Sequence, residues 1–141
     1  MQPDRYRNVI IGSGEGGKYL AWHLAQSGEP TVVVERRWIG GSCPNINCLP
    51  SKNEIWSAKV ANLIHHGKEF GVKTGTVSID MAAVRNRKRE MVQRLVATHL
   101  TKYQATGAEL VMGEGNSSLP GQSRSASMTA ACGRSQAREC S

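Results

Sequence analysis

Two cysteines, Cys43 and Cys48, stand with four residues between them in Gly-Gly-Ser-Cys-Pro-Asn-Ile-Asn-Cys-Leu-Pro-Ser-Lys, residues 40–52. Paired thiols can clasp a metal, staple a fold or exchange electrons through a reversible disulfide. A zinc site needs a second ligand pair. His65 and His66 are neighbours on a predicted helix, where adjacent positions do not face one another. Cys132 and Cys140 lie in a tail of different composition. No metal site is therefore expected. Two unrelated buried thiols are the bland alternative. If the two cysteines are bonded, their Cα atoms must come within about 6.8 Å. Residues five apart in a regular helix are already separated by about 7.5 Å along its axis. A bonded pair therefore needs a distorted turn. Pro44 removes a donor, and Asn45 and Asn47 tolerate unusual backbone angles, so the residues allow one. A thiolate at the start of the following helix, with Lys52 close by, is expected to have a depressed pKa.

A second constellation precedes the cysteines. Gly12, Gly14 and Gly17 form Gly-x-Gly-x-x-Gly after the apolar run Asn8–Ile11. Helical spacing follows over residues 15–27, with Tyr19, Leu20, Leu24 and Ala25 on one side, and Gly28 ends it. The β-branched run Thr31–Val34 comes next, and the acid Glu35 lies 21 residues after Gly14. Strand, glycine turn, helix and strand ending in an acid make a dinucleotide-binding βαβ unit with a parallel sheet. Gly12 permits the tight turn, Gly14 lets the backbone approach a pyrophosphate, and Gly17 lets helix and strand pack closely. Unpaired N–H groups of the helix N-terminus would face the phosphates. Glu35 can accept hydrogen bonds from an adenosine ribose. The same residues can also form a glycine-rich turn without a ligand.

Further elements must carry these sites. Residues 51–66 have helical spacing through Ile55, Ala58, Val60, Leu63 and Ile64. Residues 67–79 mix turn glycines with short β-like pieces. Asp80 can cap a long helix reaching about Thr106, with Met81, Val84, Met91, Leu95 and Leu100 on its apolar side. Glu109–Met112 is a third strand candidate. The fold class is α/β, a partial Rossmann-like domain with long helices, over residues 1–115. Residues 116–141 contain no aromatic residue, Val or Ile, and seven of these 26 are serine. That composition describes a disordered tail. A reading frame shifted near Asn116 would explain it. A one-base slip can turn Ser123, Ser125 and Ser127 into an alternating apolar row, and the gene sequence decides this.

Together, the cysteine stretch and the upstream glycine turn resemble the N-terminal part of the flavoprotein disulfide reductases. The resemblance spans about residues 5–115. It implies FAD bound at Gly12, Gly14, Gly17 and Glu35. Gly41 and Ser42 would line the pyrophosphate and flavin, Lys52 would lie near the flavin, and the Gly115 backbone near the adenine. It also implies that Cys43 is the interchange thiol and Cys48 the flavin-side thiol. Electrons would pass from NAD(P)H through FAD to the Cys43–Cys48 disulfide, then to a small-molecule or protein disulfide or to Hg(II). Ser42 replaces the family's usual Thr and Asn47 its usual Gly, a position where Asn can hold a left-handed backbone.

Full-length family members add an NAD(P)H domain and an interface domain and form homodimers. This chain is expected to be a fragment without them, neither dimeric nor active by itself. None of His23, His65, His66 and His99 matches the family's acid–base histidine. An inactive FAD-binding remnant and an unrelated basic binding module are the rival readings. The second draws on the net charge of +7 and the basic run Arg85–Glu90. That run has no interleaved aromatic residues and is expected to be a solvated helix face, so no nucleic acid is expected. Val9–Ile11 is too short for a signal-peptide core, and no run reaches the roughly 18 apolar residues of a membrane span. A cytoplasmic location is expected.

Overall fold

The computed structural model describes residues 5–116. Apart from Asn116, the tail expected over residues 116–141 therefore lies outside the described residues. Three parallel strands form one sheet in the order β1 (Asn8–Ile11), β2 (Thr31–Glu35), β3 (Glu109–Met112). The register pairs Ile10 with Val33 and Val33 with Leu110. All three point to one face, where Ala21, Trp22, Tyr103 and Ala108 complete the core. Every residue of β2 is buried, as expected of the central strand of a covered parallel sheet.

Helix α1 (Glu15–Gln26) connects β1 to β2. Its buried stripe is Lys18, Ala21 and Trp22, at the i, i+3, i+4 positions of one face. The expected face is thus corrected: Tyr19 and Leu20 are 60% and 50% exposed. Trp22 lies edge-on to Tyr103, with ring centroids 5.5 Å apart, so the largest ring takes the sheet side.

Between β2 and the long helices, the chain makes one helical turn, α2 (Ser42–Asn45), breaks, and restarts as α3 (Cys48–His65). Pro44 and Pro50 each fall in the first turn of their helix, where a missing N–H costs no intrahelical bond. Ile55, Val60 and Leu63 of α3 are 55%, 41% and 65% exposed, so its expected apolar side is mostly open among the described residues. The β-like pieces expected over residues 67–79 are absent. A 3-10 turn spans Gly67–Phe70, and no strand follows before Asp80 among the described residues. Exposed β-branched residues do not make a strand without a partner to pair with.

Helix α4 (Met81–Thr106) begins as expected at Asp80, whose Oδ1 accepts the Ala82 and Ala83 N–H groups at 2.8 and 3.0 Å. It ends at Gly107 in a left-handed conformation. Within the basic run, Arg87 donates to the Asn53 carbonyl and Ser57 hydroxyl at 2.6 and 2.7 Å. Lys88 pairs with Glu54 at 2.6 Å. Two of the cations expected to be merely solvated therefore tie α4 to α3.

Candidate redox and nucleotide site

The glycine turn joins β1 to α1. Gly12 has φ +94, and its N–H donates to the Val34 carbonyl at 2.8 Å, which fixes the turn to the central strand. A Cβ on Gly17 would stand 2.1 Å from the Gly12 carbonyl oxygen, so helix and strand meet at a distance only glycine permits. Gly14 is the N-cap of α1 and has open space where a Cβ would be. No side chain caps this end, so the first-turn N–H groups are available to an anion.

The cysteine turn is seated on that glycine turn. Gly41 has φ +79, and a Cβ there would lie 2.6 Å from the Gly14 Cα. Asn45 holds the loop by donating from Nδ2 to the carbonyls of Ile39 and Gly41 at 3.0 and 2.7 Å. Pro44 is buried, and Gly40 lies close enough that a Cβ on it would be 3.1 Å from the proline ring. The helix break after Asn45 brings the free thiols Cys43 and Cys48 close enough for Cys48 to act on Cys43. Asn47 achieves this with φ −114 and ψ −99, not with the left-handed backbone expected of it. Its carbonyl accepts both the Ser51 N–H and the Ser51 hydroxyl, at 3.0 and 2.6 Å, which anchors the first turn of α3.

The expected depression of a thiol pKa is not met at Cys43. The hydrogen bond with Cys48 pushes it up most, followed by burial and the negative charges of Cys48 and Glu15. Lys18 alone pulls the other way, and it is Lys18, not the sequence-expected Lys52, that acts on Cys43 as a cation. Cys48 is the more exposed thiol, and Ser42 and Lys52 are exposed at the starts of α2 and α3. Lys52 follows Cys48 by four positions and therefore shares its helix face.

Glu35 is at the end of β2, with both oxygens engaged. Oε2 accepts the Ser13 N–H and hydroxyl at 2.8 and 2.7 Å, and Oε1 accepts the Arg37 and Trp38 N–H groups at 2.8 and 3.1 Å. Ser13 Oγ in turn accepts the Gly40 N–H at 2.9 Å, linking the carboxylate to the cysteine loop. Burial works against this carboxylate, but the four donors outweigh it and hold Glu35 below its ordinary value of 4.5. A carboxyl with a folded pKa below its unfolded one stabilises the fold above the unfolded pKa, and that stability is lost as pH falls through the folded pKa. Urea midpoints between pH 3 and pH 7 are therefore expected to fall below about pH 4.5. Glu35→Gln should flatten that part of the curve, and an unchanged slope would refute the role.

Beside Glu35 a cavity of about 830 Å³ opens at the carboxyl ends of the strands, lined by Gly12, Glu35, Arg36, Arg37 and Gly115 among others. Gly115 lies over Ile11 and Val34, with a would-be Cβ 3.2 Å from the Ile11 side chain. Ligands of open α/β sheets bind at this end.

Sequence reasoning missed Ser13, Glu15, Lys18 and His99. Lys18 is 2% exposed, and its Nζ stands 2.6 Å from Glu15 Oε1 and 3.3 Å from His99 Nε2. The signal for Glu15 and Lys18 was a pair of charges inside the glycine turn's own helix start. Nothing local to His99 announced its partner 81 positions away.

A parallel βαβ unit with a capless helix N-terminus, and a dithiol turn resting on it, defines a dinucleotide-binding redox module. The family model described as "Pyridine nucleotide-disulphide oxidoreductase" matches residues 6–130, and the chain belongs to that family. Dihydrolipoyl dehydrogenase from Bacillus subtilis is 40% identical over 99 residues, covering 69% of this chain and 21% of the relative. Its counterpart from Rhizobium etli is 37% identical over 120 residues, covering 84% of this chain and 25% of the relative. Among solved structures, the Cu(II) complex of the HOCl-induced flavoprotein disulfide reductase RclA from Escherichia coli superposes with a TM-score of 0.60. It is 27% identical, with 80% of this chain and 22% of that chain covered. The chain thus spans a fifth to a quarter of the length of these relatives. Among the described residues, no helix is long and apolar enough to cross a membrane, and no cluster of three or more His, Cys, Asp or Glu could hold a metal.

Proposed function

We propose that residues 6–116 form the FAD-facing part of a disulfide oxidoreductase whose exchange pair is Cys43 and Cys48. The observation that carries this reading is the contact of Gly41 with Gly14, which sets the dithiol turn directly against the nucleotide turn. The residues present fit FAD: an uncapped helix start for phosphates and open space at Gly14, with a cavity at Glu35 and Gly115 for the adenosine end. Ribose contact at Glu35 would have to share a carboxylate whose four acceptor positions already have protein donors. When bound, FAD supplies the two-electron relay between NAD(P)H and the disulfide.

The chain's own residues carry the exchange. The Cys43 thiolate attacks a sulfur of the substrate disulfide, forming a mixed disulfide and releasing one substrate thiol with a proton from solvent. Cys48 then attacks the Cys43 sulfur, closing the Cys43–Cys48 bond and releasing the second substrate thiol. Run in reverse, the same two steps oxidise a dithiol. Disulfide substrates and Hg(II) both suit such a pair, and homodimerisation belongs to the whole-protein form of this reading. A cytoplasmic location, where thiols are kept reduced, suits a catalytic rather than a structural pair.

The purified chain is expected to retain flavin weakly, as flavin absorbance co-eluting with protein at high FAD. Gly14→Val, which fills the open space over the helix start, should lose it. Absence of retention by the wild type, or equal retention by the variant, would contradict the cofactor assignment. Turnover with NAD(P)H is not expected of the 141-residue chain alone.

A further inference from the structure

A buried ammonium is costly unless paired and hydrogen-bonded, and an apolar side chain of similar size would fill the space more cheaply. Lys18 is nevertheless buried, held by Glu15 and His99. An ammonium only donates, so His99 Nε2 accepts and Nδ1 carries the ring hydrogen. Nδ1 is itself buried, without a partner among the described residues, and lies under Gly40, where a Cβ would come within 2.4 Å of it. Gly40 leads into Gly41 on Gly14, and then into Cys43. The turn bearing Cys43 therefore rests on a floor made by the Gly14 turn and the His99 ring. Glu15 and Lys18 lie at the start of that same helix.

We propose that Glu15, Lys18 and His99 form a charge-setting unit for the redox turn, in which Lys18 is the cation that favours the Cys43 thiolate and Glu15 the anion that limits it. His99 positions Lys18 by accepting its proton-bearing side. All three act as positioning residues. This rests on the assignment of Cys43 and Cys48 as the exchange pair.

The charges facing Cys43 come from three elements: Cys48 on α3, Glu15 and Lys18 on α1, and His99 on α4 through Lys18. Cys48 has the largest effect on Cys43, and behind it Glu15 and Lys18 act with opposite signs. Burial, then the Lys18 charge, lowers the His99 pKa, which keeps the ring neutral and able to accept. The arrangement thus makes a sign prediction that a merely structural ion pair would not.

The test uses the full, reduced chain and peptide-resolved alkylation of Cys43 by iodoacetamide from about pH 6 to 9, spanning the ordinary thiol range. The thiolate displaces iodide, a carbon–sulfur bond forms and the thiol proton goes to buffer. Lys18→Met should move the rate profile to higher pH and slow alkylation near neutrality about three- to tenfold. Lys18→Arg should restore most of the rate. Glu15→Gln, at a half-exposed site that tolerates change, should accelerate it about threefold. Exposed Lys102→Met should leave it unchanged. Loosening of the fold alone would move both single variants in the same direction, and that result overturns the proposal. Should Lys18→Met not fold, failure of Glu15→Gln to accelerate alkylation overturns it alone. Mild oxidation of the wild type tests the exchange pair separately: a disulfide that forms normally while the variants fail these signs sinks only the charge-setting unit.

Discussion

Replacing Gly17 with alanine is expected to cost the chain about 3 kcal/mol or more of stability, enough to unfold a marginal domain. The new Cβ would sit 2.1 Å from the Gly12 oxygen, 3.2 Å from its carbon and 3.3 Å from the Ile10 side chain. The first two contacts are backbone and cannot rotate away. Gly12 cannot retreat either, because its N–H is bonded to Val34 and its φ of +94 is set by the turn. Gly16, one residue earlier in the same helix, has nothing within 4 Å of a would-be Cβ. Gly16→Ala should therefore be neutral or stabilise by up to about 1 kcal/mol, since alanine is the better helix former. Urea denaturation of the two variants side by side checks the account. Equal midpoints would show that helix α1 does not meet β1 as described.

The second large effect is chemical. A reduced reference chain with Cys132→Ser and Cys140→Ser, which leaves only the pair, is expected to release two thionitrobenzoate ions per chain from an aromatic disulfide reagent. Cys43 attacks the reagent, and Cys48 then displaces the bound half. Cys48→Ser should release one and remain as a stable mixed disulfide, visible as added mass. The resolving step is intramolecular, between thiols on one short turn, so its loss should slow the second release on the order of a thousandfold. If the Cys48→Ser variant still releases both ions at the rate of the reference chain, the two thiols do not act together.

Much of this architecture can be read from the residues. The three strands, the glycine turn and the Asp80-capped helix announce themselves through short-range signals: β-branched runs, glycine spacing and a capping side chain. The broken helix at the cysteines is also legible, because Pro44 and the asparagines disfavour continuing it. Its geometry is not: Asn47 breaks the helix at negative φ, which its tolerance of left-handed backbone did not foretell. The buried face of α1 is not legible, because hydrophobicity points to Tyr19 and Leu20. The packing instead uses the small Ala21 and the large Trp22 against the sheet, and admits Lys18 because it is paired. The acid at the end of β2 is legible, but the four protein donors that the fold brings to Glu35 are not. These misses share a cause. Each depends on which side chains meet once α1, α4 and the 35–45 loop are assembled, and no window of sequence contains those meetings.

The same reasoning explains the exposed face of α3. Its apolar spacing is real, and Ile55, Ala58 and Leu63 border a groove of about 380 Å³ with Lys59 and Asn62. Helical periodicity shows that one side of a helix prefers burial, and among the described residues nothing covers this side.

The central claim is that Cys43 and Cys48 are a reversible exchange pair seated on a nucleotide turn. Its most direct test is to oxidise the chain mildly with oxidised glutathione, block remaining thiols, digest without reductant and map the cross-linked peptides by mass spectrometry. The account predicts a Cys43–Cys48 bond that forms readily and is reopened by dithiothreitol, with Cys132 and Cys140 left alkylated. Cys43 and Cys48 recovered as blocked thiols, or joined to Cys132 or Cys140, would contradict it.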